Sequence, residues 1–231
     1  MNVRMGLIRK KSDWSTEEFQ SYWREKHGPL AARVPGLRGY WQNAVTERMQ
    51  RGIDFARGPW DFDGFSQLWF DDVGQASHAF KDSDLAAELI ADELRFLGGL
   101  HIVTAEQRVV IEVPAQQERA RLLKRISMLK RRPDISEEEF RHEWKIHGDL
   151  VRQMPGVAGY RQHVVIARER QKGMPSAYEG LPVDGLVELW FEDAVMLEKA
   201  FACAAGQATM AHAKTFLAEI TAFLVIERRL V

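Results

Sequence analysis

The chain has 231 residues, with 32 Lys and Arg against 33 Asp and Glu, a net charge of −1 and 45% hydrophobic residues. These are ordinary globular values, and a charge so near zero gives no general electrostatic reason to bind nucleic acid or an acidic membrane. A single cysteine, Cys203, excludes an internal disulfide and any multi-cysteine zinc or iron–sulfur site.

No apolar run approaches the ~20 residues of a membrane helix, and the N-terminus does not read as a signal peptide. The expectation is therefore a soluble, cytoplasmic protein without nucleic-acid or membrane partners.

Taken in chain order, the elements come twice. Val3 to Arg9 reads as a strand, and Ser15-x-x-Glu18 as the capping box of a helix whose buried face carries Phe19, Tyr22 and Trp23. His27-Gly28-Pro29 is expected to end that helix, and Pro35-Gly36 to turn into a second strand from Tyr40 to Thr46. A polar loop from Glu47 to Asp63 leads to a third strand, Phe65 to Phe70. Val73 to Leu97 reads as a broken helix and Ile102 to Val113 as the last strand.

The series then restarts. Ser136-x-x-Glu139, Trp144, His147-Gly148, Pro155-Gly156, Gly159-Tyr160 and Asp184-Gly185 match the first series at an offset of 120 or 121. The spacing from Trp144 to His147 is one residue shorter than that from Trp23 to His27. The chain thus reads as a repeat over 1–113, a linker over 114–121 and a second repeat over 122–231. Each repeat has the order βαββαβ, a ferredoxin-like split βαβ. The fold class is α+β, with two ferredoxin-like repeats closed into one intramolecular barrel. Two sheets face to face, helices outside and a binding cavity between the sheets are expected. The oligomeric expectation is a monomeric pseudo-dimer or a homodimer.

The motifs His27-Gly28-Pro29-Leu30, Pro35-Gly36-Leu37-x-Gly39-Tyr40 and Leu68-Trp69-Phe70-Asp71 resemble the EthD-domain family of dimeric α+β barrels, as do Asp92-Glu93-x-x-Phe96 and the late Glu106. His147-Gly148-Asp149-Leu150, Pro155 to Tyr160 and Leu189-Trp190-Phe191-Glu192 repeat the pattern, with Asp149 replacing the proline and His212 replacing Asp92. The resemblance implies cofactor-free isomerases, decarboxylases, polyketide cyclases or accessory proteins of ether breakdown. In the isomerases a histidine at the His27 position acts on a lactone together with a cysteine near the Leu68 position. Here Leu68 and Leu189 stand in place of that cysteine, and Cys203 lies elsewhere.

Site candidates follow from chemistry. His27 and His147 are either acid/base groups, since imidazole titrates near neutrality, or caps on helix ends. Tyr40 and Tyr160 could hydrogen-bond a carbonyl or enolate oxygen, or be core phenols. Trp69 and Trp190 could stack on a planar ligand or pack.

Alternation along the strands assigns the apolar set Val3, Met5 and Leu7 to the helix side. It assigns Arg4, Gln67 and Trp69, with Arg125, Glu188 and Trp190, to the cavity; otherwise the arginines lie at strand ends in solvent. If Glu188 neutralises Arg125 while Gln67 leaves Arg4 unpaired, an anionic small-molecule substrate belongs beside Arg4. The loops 47–63 and 168–184 read as flaps over cavity mouths.

No phosphate-binding, dinucleotide, metalloprotease or nucleophile-elbow motif is present in the sequence, so no metal and no organic cofactor is expected. The leading expectation is a lyase or isomerase moving protons on a small cyclic or aromatic catabolite or polyketide. Beside it stand a haem-binding or quinone-forming oxygenase and a non-catalytic small-molecule-binding accessory protein.

Overall fold

Ser15 and Ser136 open the two long helices as expected. Each serine accepts from the backbone N–H three residues on, and the glutamate there accepts from the serine N–H, so both free amides are satisfied. The computed structural model describes residues 2–70, 84–171 and 173–231. The expected helical stretch from Val73 falls partly on 71–83, outside the described residues, as does Asp71 of the family motif.

The first repeat comprises β1 (Asn2–Lys10), α1 (Thr16–Tyr22), α2 (Gly28–Ala31), β2 (Leu37–Glu47), β3 (Gly64–Phe70), α3 (Asp84–Phe96) and β4 (Leu97–Ile111). A short helix, α4 (Gln116–Arg119), joins it to the second repeat, which begins with β5 (Leu123–Arg131), α5 (Glu137–Val151) and β6 (Gly159–Gln171). There follow the two-residue β7 (Met174–Pro175), β8 (Gly185–Phe191), α6 (Ala194–Ala202), α7 (Ala204–Phe216) and β9 (Leu217–Arg229). No helix among the described residues is long and apolar enough to cross a membrane.

The strands form one sheet in the order β4-β1-β3-β2-β9-β5-β8-β6-β7, and β4 also pairs with β6. Eight antiparallel strands therefore close edge to edge. The joints are β2 with β9 and β4 with β6, each uniting one repeat with the other. The expected intramolecular α+β barrel of two repeats is what forms, its two four-stranded sheets joined at both edges, and closure satisfies the edge amides and carbonyls that each repeat alone would leave open. At eight strands a barrel is just wide enough for side chains to fill. Val3, Met5, Leu7, Phe65, Trp69, Val103, Ile126, Met128, Leu186, Phe223 and Val225 pack together there. The expected central cavity is a core.

This reverses the sidedness expected for β1. Val3, Met5 and Leu7 point into the barrel, while Arg4, Gly6 and Ile8 face the helices and line a cavity there. The physical reason is closure, because a barrel interior has no solvent side and takes the most apolar set.

Gly64 and Gly185 begin β3 and β8 because the long helix approaches closely there. A Cβ at Gly64 would come within 2.6 Å of the Trp23 ring, and one at Gly185 within 2.4 Å of the Trp144 ring.

Candidate functional site

The helix that carries His27 does not end there. From Trp23 to His27 it opens into a π turn and then continues as α2, with Gly28 N–H donating to Trp23 O. Pro29 has no N–H to give, and the wider turn accommodates the ladder it interrupts. In the second repeat the same stretch is unbroken α-helix from Glu137 to Val151. The extra residue between Trp23 and His27, relative to Trp144 and His147, is the residue that the π turn absorbs.

His27 is 6% exposed. Its Nδ1 lies 2.8 Å from Asp92 Oδ2, and Tyr22 donates its hydroxyl to Asp92 Oδ1 at 2.5 Å. Burial pushes the Asp92 carboxyl up, but hydrogen bonds from His27 and Tyr22 outweigh it and leave the pKa lowered. Burial and Asp92 together raise the Tyr22 pKa, so the phenol stays a donor. A carboxylate at Nδ1 places a ring hydrogen there and leaves Nε2 as the atom that can exchange a proton. The Phe96 ring, 5.2 Å from the imidazole, confines it.

Arg4, Gly6, Ser66, Leu68, His27, Ala31, Tyr40 and Glu93 contribute to one small cavity between sheet and helices, with about 40 Å³ of inner room. Glu93, Leu97 and Leu100 are shared with a groove of about 600 Å³ that Arg170 also borders. The second repeat has a matching cavity of about 40 Å³, where His147, Tyr160 and Arg125 take the places of His27, Tyr40 and Arg4. Each tyrosine hydroxyl accepts from a glutamine two residues on, Gln42 at 3.0 Å and Gln162 at 2.8 Å. Burial raises both phenols, Tyr160 to about 12, so both remain protonated.

Two expectations about charge fail. Arg4 is not available as a lone cation, because Glu169 from β6 binds both of its terminal nitrogens, one of them at 2.8 Å. Nor are Arg4 and Gln67, or Arg125 and Glu188, neighbours. The register pairs Arg4 with Leu68 and Met5 with Gln67, and it pairs Arg125 with Leu189 and Ile126 with Glu188. Adjacent positions on a strand face opposite ways, so each expected pair is split between cavity and barrel.

Gln67, Trp69, Glu188 and Trp190 therefore belong to the barrel interior and line neither helix-side cavity. There Glu188, fully buried, accepts from Gln67 and faces His163, each at 2.8 Å. Lys124 Nζ lies 2.5 Å from both Glu188 and Glu227. Burial works against the Glu188 charge, yet Lys124, His163 and Arg161 hold its pKa well below the carboxylate range. Trp69 donates to Gln107 at 3.2 Å, and the Trp190 face is covered by Lys124 at 4.8 Å. The linker helix joins this network: Arg119 pairs with Glu227 at 2.7 Å and lies 4.2 Å over Trp41.

Contacts cross between the repeats. Arg51 and Ile53, from the loop of the first repeat, reach the second-repeat cavity, while Glu169 and Arg170 of the second repeat reach the first. Among the described residues no group of three His, Cys, Asp or Glu could hold a metal ion.

Residues 11–99 and 132–219 both match the EthD domain. The chain belongs to the EthD-domain family. No curated protein matches it by sequence. An anthrone oxidase-like protein superposes with a TM-score of 0.68 at 8% identity, covering 99% of this chain and 93% of that one. A monooxygenase candidate from Lactobacillus acidophilus gives 0.57 at 10% identity, over 100% of this chain and 94% of that one. A mutant chlorite dismutase from Candidatus Nitrospira defluvii gives 0.52 at 10%, over 97% and 90%. At such identities these EthD-chain likenesses establish a shared fold.

Proposed function

We propose that this EthD protein is an enzyme that moves protons on a small cyclic or aromatic molecule, with His27 as the base and no cofactor. The observation that carries the reading is the relay from Tyr22 through Asp92 to His27 at a cavity wall. A general base needs a fixed tautomer, a lone pair toward the substrate and a pKa near the working pH. Asp92 supplies the first by accepting at Nδ1, which leaves Nε2 as the ring atom for the substrate.

Proton removal next to a carbonyl leaves an enolate, which a nearby hydroxyl donor stabilises. Tyr40 lines the same cavity and stays protonated. Return of the proton to another carbon is isomerisation, loss of hydroxide from the β carbon as water is dehydration, and attack of the enolate on a second carbonyl closes a ring; a β-keto acid reaches the same enolate by losing carbon dioxide and then takes a proton from the imidazolium.

A second reading has support from the full-length likeness to an anthrone oxidase-like protein and a monooxygenase candidate. The same base could deprotonate a phenolic ring for direct reaction with dioxygen. Haem does not suit the site. Phe96 lies 5.2 Å from the imidazole, and Ile8, Ala31 and Leu68 close the inner room to about 40 Å³, too little for a macrocycle beside the ring.

The test is a panel of muconolactones, anthrones and aromatic β-keto acids in deuterium oxide, followed by NMR, with an oxygen electrode run in parallel. Solvent deuterium in recovered substrate or product supports proton transfer, and dioxygen uptake supports the second reading. His27→Ala should lower turnover about 10²–10⁴-fold, and Asp92→Asn should lower kcat with little change in KM. His147→Ala should leave turnover within a few-fold. Full activity in His27→Ala would remove both readings.

A further inference from the structure

Arg4 and Arg125 occupy equivalent positions on the first strands of the two repeats, but their company differs. Arg4 is held by Glu169. Arg125, 3% exposed, has no carboxylate partner among the described residues. Its Nε donates to Ser127 Oγ and one terminal nitrogen to the Arg51 carbonyl, each at 3.0 Å. Both acceptors are neutral. The nearby carboxylates Glu47 and Glu198 are taken by Arg51. Burial lowers the Arg125 pKa only to about 10, so the group is a cation at neutral pH. A buried guanidinium without a counter-ion is costly, and its planar N–H fork matches a carboxylate.

The remaining N–H groups border the second-repeat cavity, whose wall contains no Asp or Glu. His147 and Tyr160 add polar atoms, and His147 Nδ1 is buried without a partner. Phe201, with its ring 5.1 Å from the guanidinium, Met210 and Leu217 supply apolar surface. Ile53 lines the cavity from the other repeat.

We propose that the second-repeat cavity binds a small carboxylate with a flat apolar body, its anionic end on Arg125 in the inner room of about 40 Å³ and its ring extending out of that room past Phe201 and Ile53. This site is separate from the one that holds His27. A chain with two diverged cavities thereby keeps a proton-transfer site in one half and an anion site in the other.

Benzoate is the probe, titrated calorimetrically into the full chain. The native protein should bind one equivalent. Arg125→Gln should weaken binding at least tenfold, Arg125→Lys should retain part of it, and His27→Ala should leave it unchanged. Met210→Trp, which fills the cavity without touching the charge, should also abolish binding, and it decides the matter if Arg125→Gln fails to fold. A crystal soaked with 4-bromobenzoate should place bromine in the second-repeat cavity. No binding by native protein, native-like binding by Arg125→Gln or Met210→Trp, or bromine only beside His27 would each overturn the proposal.

Discussion

His27 and His147 occupy equivalent positions, yet their imidazoles meet opposite partners. Asp92 accepts at His27, whereas the residue replacing it, His212, stacks on His147 at 5.6 Å and itself reaches Glu143 at 3.2 Å. Tyr22 and Glu143 are likewise equivalent, so donor and acceptor have exchanged places together. Burial, then the neighbouring His212, holds the His147 imidazole down to about 3. An unfolded chain protonates such a ring near ~6.5. Between these values unfolding takes up a proton, so stability is present above pH 6.5 and is lost as the pH falls toward 3. Asp92, with its lowered pKa, acts in the same direction at lower pH. Urea unfolding at pH 7.5, 5.5 and 4.5 should show this decline, and His147→Gln should flatten it; at about 1.4 kcal/mol per pKa unit the effect is measurable. An unchanged slope in the variant would contradict the assignment. The sequence singled out His27, Tyr40, Arg4 and their counterparts, and the structure brings each set to the wall of one cavity. The paired exchange at 22/143 and 92/212 was also there to be read, as two coupled differences between the repeats. Glu169 was not, because β4 and β6 had first to pair before it could meet Arg4, 165 residues away in the sequence.

At the scale of elements, helix starts were fully written in local sequence, since a capping box needs only residues three apart. The π turn was written as the one-residue difference between Trp23–His27 and Trp144–His147, although Gly28-Pro29 reads locally as a helix end. Strand existence was equally plain. Strand sidedness was not, because alternation says which residues share a face and only closure says which face is inside. Ser66, Leu68 and Phe70 face the helices, and so, against expectation, does Arg4. The contact between long helix and third strand gives an element-scale test. Gly64→Ala and Gly185→Ala each drive a methyl into a tryptophan ring that is 1% exposed and has no room to retreat. Each should lower unfolding free energy by about 1–3 kcal/mol, the usual cost of overpacking. Urea midpoints equal to the native value would mean that the indoles yield freely.

For the whole molecule, closure explains why the duplication is carried in one chain. The first repeat alone has a four-stranded sheet with two open edges, β2 and β4, and an apolar inner face formed by Val3, Met5, Leu7, Phe65 and Val103. In the full chain β9 covers one edge, β6 covers the other, and the second repeat fills the inner face. Cutting after residue 113 uncovers all three surfaces at once and removes Glu169 from Arg4, leaving that buried cation without its counter-ion. Exposed edges and an apolar face of this kind associate with whatever can pair with them. The isolated segment 1–113 is therefore expected to dimerise into a substitute barrel or to aggregate, as read by multi-angle light scattering. A second polypeptide of 114–231 added during refolding should bring it back to a one-to-one complex with the mass of the native chain. A stable monomeric 1–113 would mean that the barrel joints contribute little, and the link between tandem duplication and closure would fail with it.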